Sequence, residues 1–137
     1  MSTMSTQQTE TIVQSFFDTF GRGDIPALLQ LLTDDIDWKV QGSPDVPWTG
    51  QCRGRAQVEQ FFSALATAAD VQGFQIHSQI TQDNQAVVLG YFKWMVKETQ
   101  CTYDGVWAIH IVIRDNKIAY YQMFENSYAV AEAFRAL

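Results

Sequence analysis

Cysteine, proline and positive charge are scarce in this chain of 137 residues, which has two cysteines, three prolines and nine Lys and Arg residues against fifteen Asp and Glu. The net charge of -6 argues against a nucleic-acid partner, because no excess of cations is present to meet phosphate. Cys52 and Cys101 lie far apart and outside any Cys-x-x-Cys motif. This spacing predicts reduced structural thiols rather than a disulfide.

Long hydrophobic runs are also missing. No stretch approaches the length of a membrane span, and the opening residues MSTMSTQQ lack the positive segment and the apolar run of a signal peptide. We therefore expect a cytoplasmic protein with no membrane partner. The length is that of a single domain, residues 1–137, of which residues 1–5 are expected to be disordered.

Apolar side chains, by contrast, are abundant: the sequence is 47% hydrophobic and 13% aromatic. A chain of this size can bury a core without disulfides or metals, and this aromatic content exceeds what a small closed core needs. The surplus favours an interior with an apolar-lined pocket.

The first half of the chain predicts three helices. Ser5 and Gln8 fit a capping box at the start of the first helix, and Gly21 ends it. Asp24 is placed to cap the second helix. The third helix is expected to begin near Gly54, where apolar residues start to recur at helical spacing.

The second half changes to a period of two, which is typical of strands. A short aromatic strand is predicted at Ile36–Val40, after a turn at Asp34 and Asp35. Four further strands are predicted at Phe74–Thr81, Gln85–Lys97, Thr102–Arg114 and Lys117–Asn126, with tight turns at Asp83-Asn84 and Asp115-Asn116 and a last short helix capped by Ser127.

This order predicts an α+β fold in which three N-terminal helices pack on the concave face of a curved antiparallel sheet. Gly90 and Gly105 are placed where a kink or bulge would bend the long strands. The convex face would show apolar side chains to water unless a second copy covered it, so we expect a homodimer.

The chain resembles the SnoaL-like, ketosteroid-isomerase-related proteins of the nuclear transport factor 2-like superfamily, which share a cystatin-like cone. The resemblance spans residues 5–135 and rests on Gly21-Arg22-Gly23-Asp24, Asp34-Asp35-Ile36-Asp37-Trp38, Gly54-Arg55 ahead of Phe61-Phe62, Trp107-Ala108-Ile109-His110 and Lys117-Ile118. It implies a pocket for an apolar small molecule and no cofactor. It does not imply one particular reaction, because proteins with this fold catalyse several different reactions and some of them only bind ligands.

Three enzyme templates follow from the resemblance. The ketosteroid isomerases use a tyrosine and two aspartates, where this chain has Phe16, Val40 and His110, so that mechanism is not expected. The epoxide hydrolases use an Arg-x-Asp on a long strand and another aspartate on the last strand, whereas Gly90–Val96 has neither acid nor arginine and Met123 lies near the place of the last aspartate, so that template is not expected either. The aldol-type polyketide cyclases need a carboxylate on the last strand and a histidine, and Glu125 and His110 are of those types.

His110 and Glu125 are therefore the candidate catalytic residues. Imidazole titrates near neutrality, and a carboxylate that faces an apolar pocket has a raised pKa. The alternatives are a core histidine bonded to a neighbouring group and a solvated glutamate at a strand end.

Five aromatic residues are expected to line the pocket, although such a pattern also occurs in simple cores: Phe16, Trp38, Phe62, Tyr91 and Tyr121. Asp34, Asp35 and Asp37 are interpreted as solvated turn residues and not as a metal site. The sequence thus predicts a cofactor-free isomerase, cyclase or lyase that acts by proton transfer on an apolar carbonyl compound. The alternative is a non-catalytic module for lipophilic ligands or for dimerisation.

Overall fold

The computed structural model describes residues 5–44 and 46–135. The elements in chain order are α1 (Thr6–Gly21), α2 (Ile25–Gln30), β1 (Leu32–Val40), β2 (Gly50–Arg53), α3 (Arg55–Ala68), β3 (Ala69–Gln82), β4 (Gln85–Val96), β5 (Thr102–Arg114), β6 (Lys117–Glu125) and α4 (Ser127–Arg135). The expected α+β class is confirmed. The expectation of disorder for residues 1–5 falls almost wholly outside the described residues, and Ser5 itself caps α1.

Capping side chains set the helix ends that the sequence predicts. The Ser5 hydroxyl accepts the Gln8 backbone N–H, and the Gln8 side chain accepts the Ser5 N–H in return, which confirms the capping box. Asp24 caps α2 through the Ala27 N–H. The predicted cap of α4 is wrong by one residue, because the Asn126 side chain accepts the Ala129 N–H and Ser127 is already helical.

The six strands form one sheet in the order β2-β1-β6-β5-β4-β3. All neighbours are antiparallel except β1 and β6, which run parallel. This pairing begins at Leu32 opposite Ile118, so β1 starts earlier than predicted and Asp34 and Asp35 lie in a strand. The register shifts between Leu32 and Asp37, and this irregularity leaves the two aspartates exposed.

Strand β3 also begins earlier than predicted, directly after α3, with Ala69 opposite Val96. Its register with β4 shifts twice, and the second shift, between Ile76 and Ser78, lies opposite Gly90, where a bulge was expected. No register shift occurs at Gly105, where β4 and β5 pair without interruption, so a bulge is absent there.

The two faces of the sheet differ in what covers them. The inner face is the one on which α1, α2 and α3 pack, and it holds buried residues such as Trp107, Ile109 and Ile111. The outer face carries exposed apolar side chains, with Val106 at 68% and Phe124 at 49% exposure. Successive residues of one strand therefore belong to different environments.

Both cysteines are free, as predicted. None of the helices in the described part of the chain is long and apolar enough to cross a membrane. The cytoplasmic location stays a prediction.

Candidate functional site

A cavity lies between the inner face of the sheet and the helices that cover it. Its walls are almost entirely aromatic and aliphatic, and they come from α1, β1, the loop before β2, α3, β3, β4, β5 and β6. The lining residues are Phe16, Phe17, Phe20, Trp38, Trp48, Phe61, Phe62, Leu65, Val71, Phe74, Phe92, Trp94, Ile109, Tyr121, Met123 and Glu125.

A stacked aromatic pair forms the floor of the cavity. Trp38 of β1 and Tyr121 of β6 are direct partners in the parallel pair, and their rings stack with centroids 3.6 Å apart and an interplanar angle of 5°. Phe16 and Phe62 pack against Trp38 at 6.0 and 5.5 Å. The parallel pairing of β1 with β6 therefore fixes the position of these rings.

The cavity is small, with a volume of about 50 Å³. An apolar cavity of roughly 150 Å³ is needed to hold benzene, so a ring-sized ligand requires some of the lining side chains to move. Trp38 and Phe61 meet edge-on at 5.4 Å, as do Phe61 and Phe62 at 5.1 Å, so rings of this kind are the ones that a ligand would have to displace.

Among the described residues that line the cavity, Glu125 is the one carboxylic acid. It ends β6 directly opposite Trp107 of β5, and its Oε1 is buried with no hydrogen-bond partner in the described structure. Burial raises the pKa of Glu125 from its ordinary 4.5 to about 7. Both the neutral and the ionised carboxyl are therefore populated near neutral pH.

Two tyrosines surround this carboxyl. The pKa of Tyr121 is raised, first by burial and then by the charge of Glu125, and the same two causes raise the pKa of Tyr103. Both phenols consequently stay protonated at neutral pH. The indole nitrogens of Trp38 and Trp107 are also buried without a partner among the described residues.

The structure separates the two predicted catalytic residues. His110 lies on the outer face, where it pairs with Val87 and Gln122 across the neighbouring strands. Its Nε2 is 3.0 Å from the Gln85 side-chain oxygen, and its ring packs edge-on against Tyr120. His110 does not line the cavity, because it is one residue out of phase with Ile109, which does.

Tyr91 is likewise on the outer face, and its hydroxyl donates to Asp104 at 3.2 Å. The other four predicted lining residues all border the cavity: Phe16, Trp38, Phe62 and Tyr121. Whether they bind a ligand stays a prediction.

Tyr103 and Trp107 are polar-tipped residues that the sequence reasoning did not select for the site. Both share the strand parity of Ile109, Ile111 and Ile113, all of which are large and apolar. The alternation of residues along β5 could have indicated this from the sequence, because it places Tyr103 on the buried face and His110 on the opposite face.

The three clustered aspartates point to different partners. Asp34 pairs with Arg55 at 2.9 Å, Asp35 with Arg114, and Asp37 with Lys39 at 3.7 Å. Across residues 5–44 and 46–135 no group of three potential ligands is arranged to hold a metal ion.

The comparisons with known proteins agree with this architecture. The model of the SnoaL-like domain matches residues 13–121. An NTF2-like protein from Burkholderia xenovorans LB400 is 28% identical, with 96% of this chain and 98% of that one covered and a TM-score of 0.87. No curated protein matches.

Two further solved structures show the same fold at lower identity. A candidate polyketide cyclase from Xanthomonas campestris pv. campestris is 16% identical, covers 94% of this chain and 98% of its own, and has a TM-score of 0.75. TerC, crystallised with polyporic acid, is 17% identical over 93% of this chain and 98% of its own, with a TM-score of 0.80. The family match spans most of the chain, and the chain therefore belongs to the SnoaL-like domain family of the NTF2-like superfamily.

Proposed function

We propose that the protein binds a neutral, largely apolar small molecule in the aromatic cavity and catalyses a cofactor-free proton transfer next to a carbonyl group, with Glu125 as the acid and base. Isomerisation, aldol cyclisation and dehydration are reactions of this kind. The observation that carries the proposal is the buried Glu125 carboxyl, whose Oε1 has no partner in the described structure and whose pKa is raised to about 7.

A pKa near the working pH is what general acid–base catalysis requires, because the group must both take up and release a proton. The walls of the cavity on the inner side of Glu125 are largely aromatic, and a bound apolar ligand would keep water away from the reacting atoms there. The proposal gives the proton transfer to Glu125, because His110, the other candidate catalytic residue of the sequence analysis, does not line the cavity.

The charge of the lining supports a neutral ligand. Neither Lys, Arg nor His contributes to the described lining of the cavity, so an anionic ligand would meet Glu125 without a compensating cation. The similarity to a candidate polyketide cyclase and to TerC supports an organic ligand with oxygen groups.

Native mass spectrometry of freshly purified protein, before and after denaturation, tests this proposal. We expect a co-purified organic molecule to be released on unfolding. Its turnover, or that of a carbonyl compound of the same class, should fall 10²–10⁴-fold in Glu125→Gln, as is typical when a general acid or base is removed.

The matched control is Glu132→Gln, which removes a carboxylate from an exposed position of α4. It should leave turnover unchanged. Equal turnover in the wild type and Glu125→Gln would contradict the proposal.

The second candidate function is non-catalytic binding of a lipophilic ligand. The separation of His110 from Glu125 favours it, because the described lining lacks a second carboxyl or imidazole to pair with Glu125. A binder should keep most of its ligand affinity in Glu125→Gln, whereas the enzyme should lose turnover.

The homodimer remains part of the proposal. A surface groove of about 720 Å³ runs over the outer face, and it includes the exposed apolar residues Leu89, Val106 and Phe124. A second copy bound at this groove would cover the apolar outer face of the sheet. The inner cavity would remain free for the ligand.

A further inference from the structure

The aromatic cavity is smaller than the ligand that the proposed function requires. Its volume is about 50 Å³, whereas an apolar cavity of roughly 150 Å³ is needed to hold benzene. A lining ring must therefore leave its place before a ligand ring can enter. One phenylalanine ring that moves out vacates the space of a flat six-membered ring.

The rings that touch the floor of the cavity differ in their exposure. The floor is the stacked pair of Trp38 and Tyr121, and the rings in contact with it are Phe16, Phe61 and Phe62. Phe16 and Phe62 are 2% and 6% exposed, so neither has solvent beside it to move into. Among the described rings that contact the floor, Phe61 is the one that is half-buried. Phe61 is therefore the ring that separates the floor from solvent.

The backbone of α3, which carries Phe61, is held at both ends. At its start the Arg55 guanidinium donates to the Leu32 carbonyl oxygen through two nitrogens, at 3.0 and 2.6 Å. At its end the Lys97 Nζ donates to the Ala66 carbonyl oxygen at 2.7 Å. An aromatic side chain in a helix has two common χ1 values, which gives the ring a second position on a fixed backbone. The opening motion is accordingly a rotation of the side chain and not a displacement of the helix.

The contacts that hold Phe61 in the cavity are ones that a ligand ring can replace. Its ring meets Trp38 edge-on with centroids 5.4 Å apart, and it meets Phe62 edge-on at 5.1 Å. Aromatic rings prefer this edge-to-face arrangement to a face-to-face one. A flat unsaturated ring in the place of Phe61 would therefore restore both contacts.

We propose that Phe61 is the gate of the cavity and determines which ligands enter: its ring rotates out to solvent, and one flat six-membered ring of the ligand takes its place against Trp38. This inference rests on the proposed function and adds the class of ligand to it. The class is a neutral compound with an unsaturated six-membered ring that reaches the floor of the cavity.

The test follows the Phe61 ring itself by ¹⁹F NMR of the full chain, with 4-fluorophenylalanine in place of Phe61 and benzene as the probe. A fluorine exposed to solvent shows a difference in chemical shift between H₂O and D₂O that a buried fluorine lacks. On saturation with benzene, we expect this difference at position 61 to rise to its value in the urea-unfolded chain. The matched control carries 4-fluorophenylalanine in place of Phe62, which contacts Trp38 at a similar distance of 5.5 Å and should stay buried.

A second variant removes the gate. The wild type binds only through the fraction of molecules whose gate is open, so Phe61→Ala should bind benzene about tenfold more tightly if that fraction is about one tenth. Its control is Tyr128→Ala, which removes a ring from an exposed position of α4 and should bind benzene at the wild-type level.

Benzene binding without a change at position 61, or with exposure of position 62 instead, would overturn the inference. Equal benzene affinity of the wild type and Phe61→Ala, or no binding by either, would overturn it as well. The role of Glu125 is tested separately by the turnover of Glu125→Gln. A loss of turnover there with a static Phe61 ring would leave the proposed function without the gate, whereas unchanged turnover with a mobile Phe61 ring would leave the gate without the catalytic role.

Discussion

The same strands form both faces of the sheet, yet the titratable side chains on the two faces have different surroundings. On the inner face Glu125 lies opposite Trp107, and its Oε1 is buried with no partner in the described chain. On the outer face His110 contacts the Gln85 side chain, and Tyr91 contacts Asp104. Whether a titratable side chain has a hydrogen-bond partner therefore depends on the face on which it lies and not on its residue type.

The two faces also differ in how closely their side chains are packed. The inner face is filled by rings in mutual contact, such as Phe17 and Phe74 stacked against Trp107 at 5.9 and 5.4 Å. The outer face leaves apolar side chains uncovered. Substitutions on the two faces should consequently change different properties, stability inside and association outside.

The largest effect is expected at Gly90. A Cβ there would lie 2.3 Å from the Trp107 ring and 2.5 Å from the Gln75 backbone oxygen, so Gly90→Ala forces either the ring or the backbone to move. We expect a loss of about 3 kcal/mol in the free energy of unfolding, measured by urea denaturation. The control is Gly73→Ala, whose new Cβ would be 3.8 Å from Lys93 and should cost about 1 kcal/mol or less. Similar losses in the two variants would refute the close packing around Trp107.

The next effect is the pH dependence of stability due to Glu125. Its folded pKa of about 7 exceeds the ordinary 4.5, so between these values the folded chain holds a proton that the unfolded chain has released. Stability should therefore fall by ~3 kcal/mol as the pH rises from 4.5 to 7, and this contribution should be flat above. Chemical denaturation of Glu125→Gln across this range should lack the slope, while Glu132→Gln should keep it. A wild type without the slope would speak against a buried carboxyl.

A charge on the outer face should change association and not folding. Val106→Asp places a carboxylate in the exposed apolar groove, and in a dimer two like charges would approach each other. We expect the dimer dissociation constant to rise about 30-fold, or ~2 kcal/mol, with an unchanged circular dichroism spectrum. Sedimentation of this variant is compared with Gln14→Asp, which adds the same charge on an exposed position of α1. A monomeric wild type would contradict the proposed homodimer.

The smallest effect is expected at His110. Because its contacts are to a side-chain amide and a ring at the surface, His110→Gln should change the free energy of unfolding by no more than about 0.5 kcal/mol. Turnover of the carbonyl substrate should stay at the wild-type level. A tenfold loss of turnover would place His110 in the site after all.

Local signals predicted much of the fold. The capping box at Ser5, the cap at Asp24 and the turns at Asp115 and Asn116, with φ of 54° and 62°, depend on residues close in sequence, and the structure confirms them. The strand Thr102–Arg114 was predicted with its observed bounds. Such features need no knowledge of the rest of the chain.

Features that depend on distant residues were not predicted. The parallel pairing of β1 with β6 joins residues about eighty positions apart, and it is this pairing that extends β1 through Asp34 and Asp35. Sequence periodicity carries no information on which strands become neighbours.

The candidate site was predicted in part for the same reason. Glu125 and Tyr121 share a parity and both line the cavity, whereas His110 was selected from its family position against the parity of its own strand. Tyr103 was not selected, although the parity of β5 places it on the buried face.

The central claim is that one buried carboxyl, Glu125, exchanges its proton near neutral pH. The direct measurement is ¹³C NMR of the Glu125 side-chain carboxyl through a pH titration of the wild type, with the resonance assigned by its absence in Glu125→Gln. The account predicts a titration midpoint near 7. A midpoint at the ordinary 4.5 would show a solvated strand-end glutamate and would contradict the proposed function.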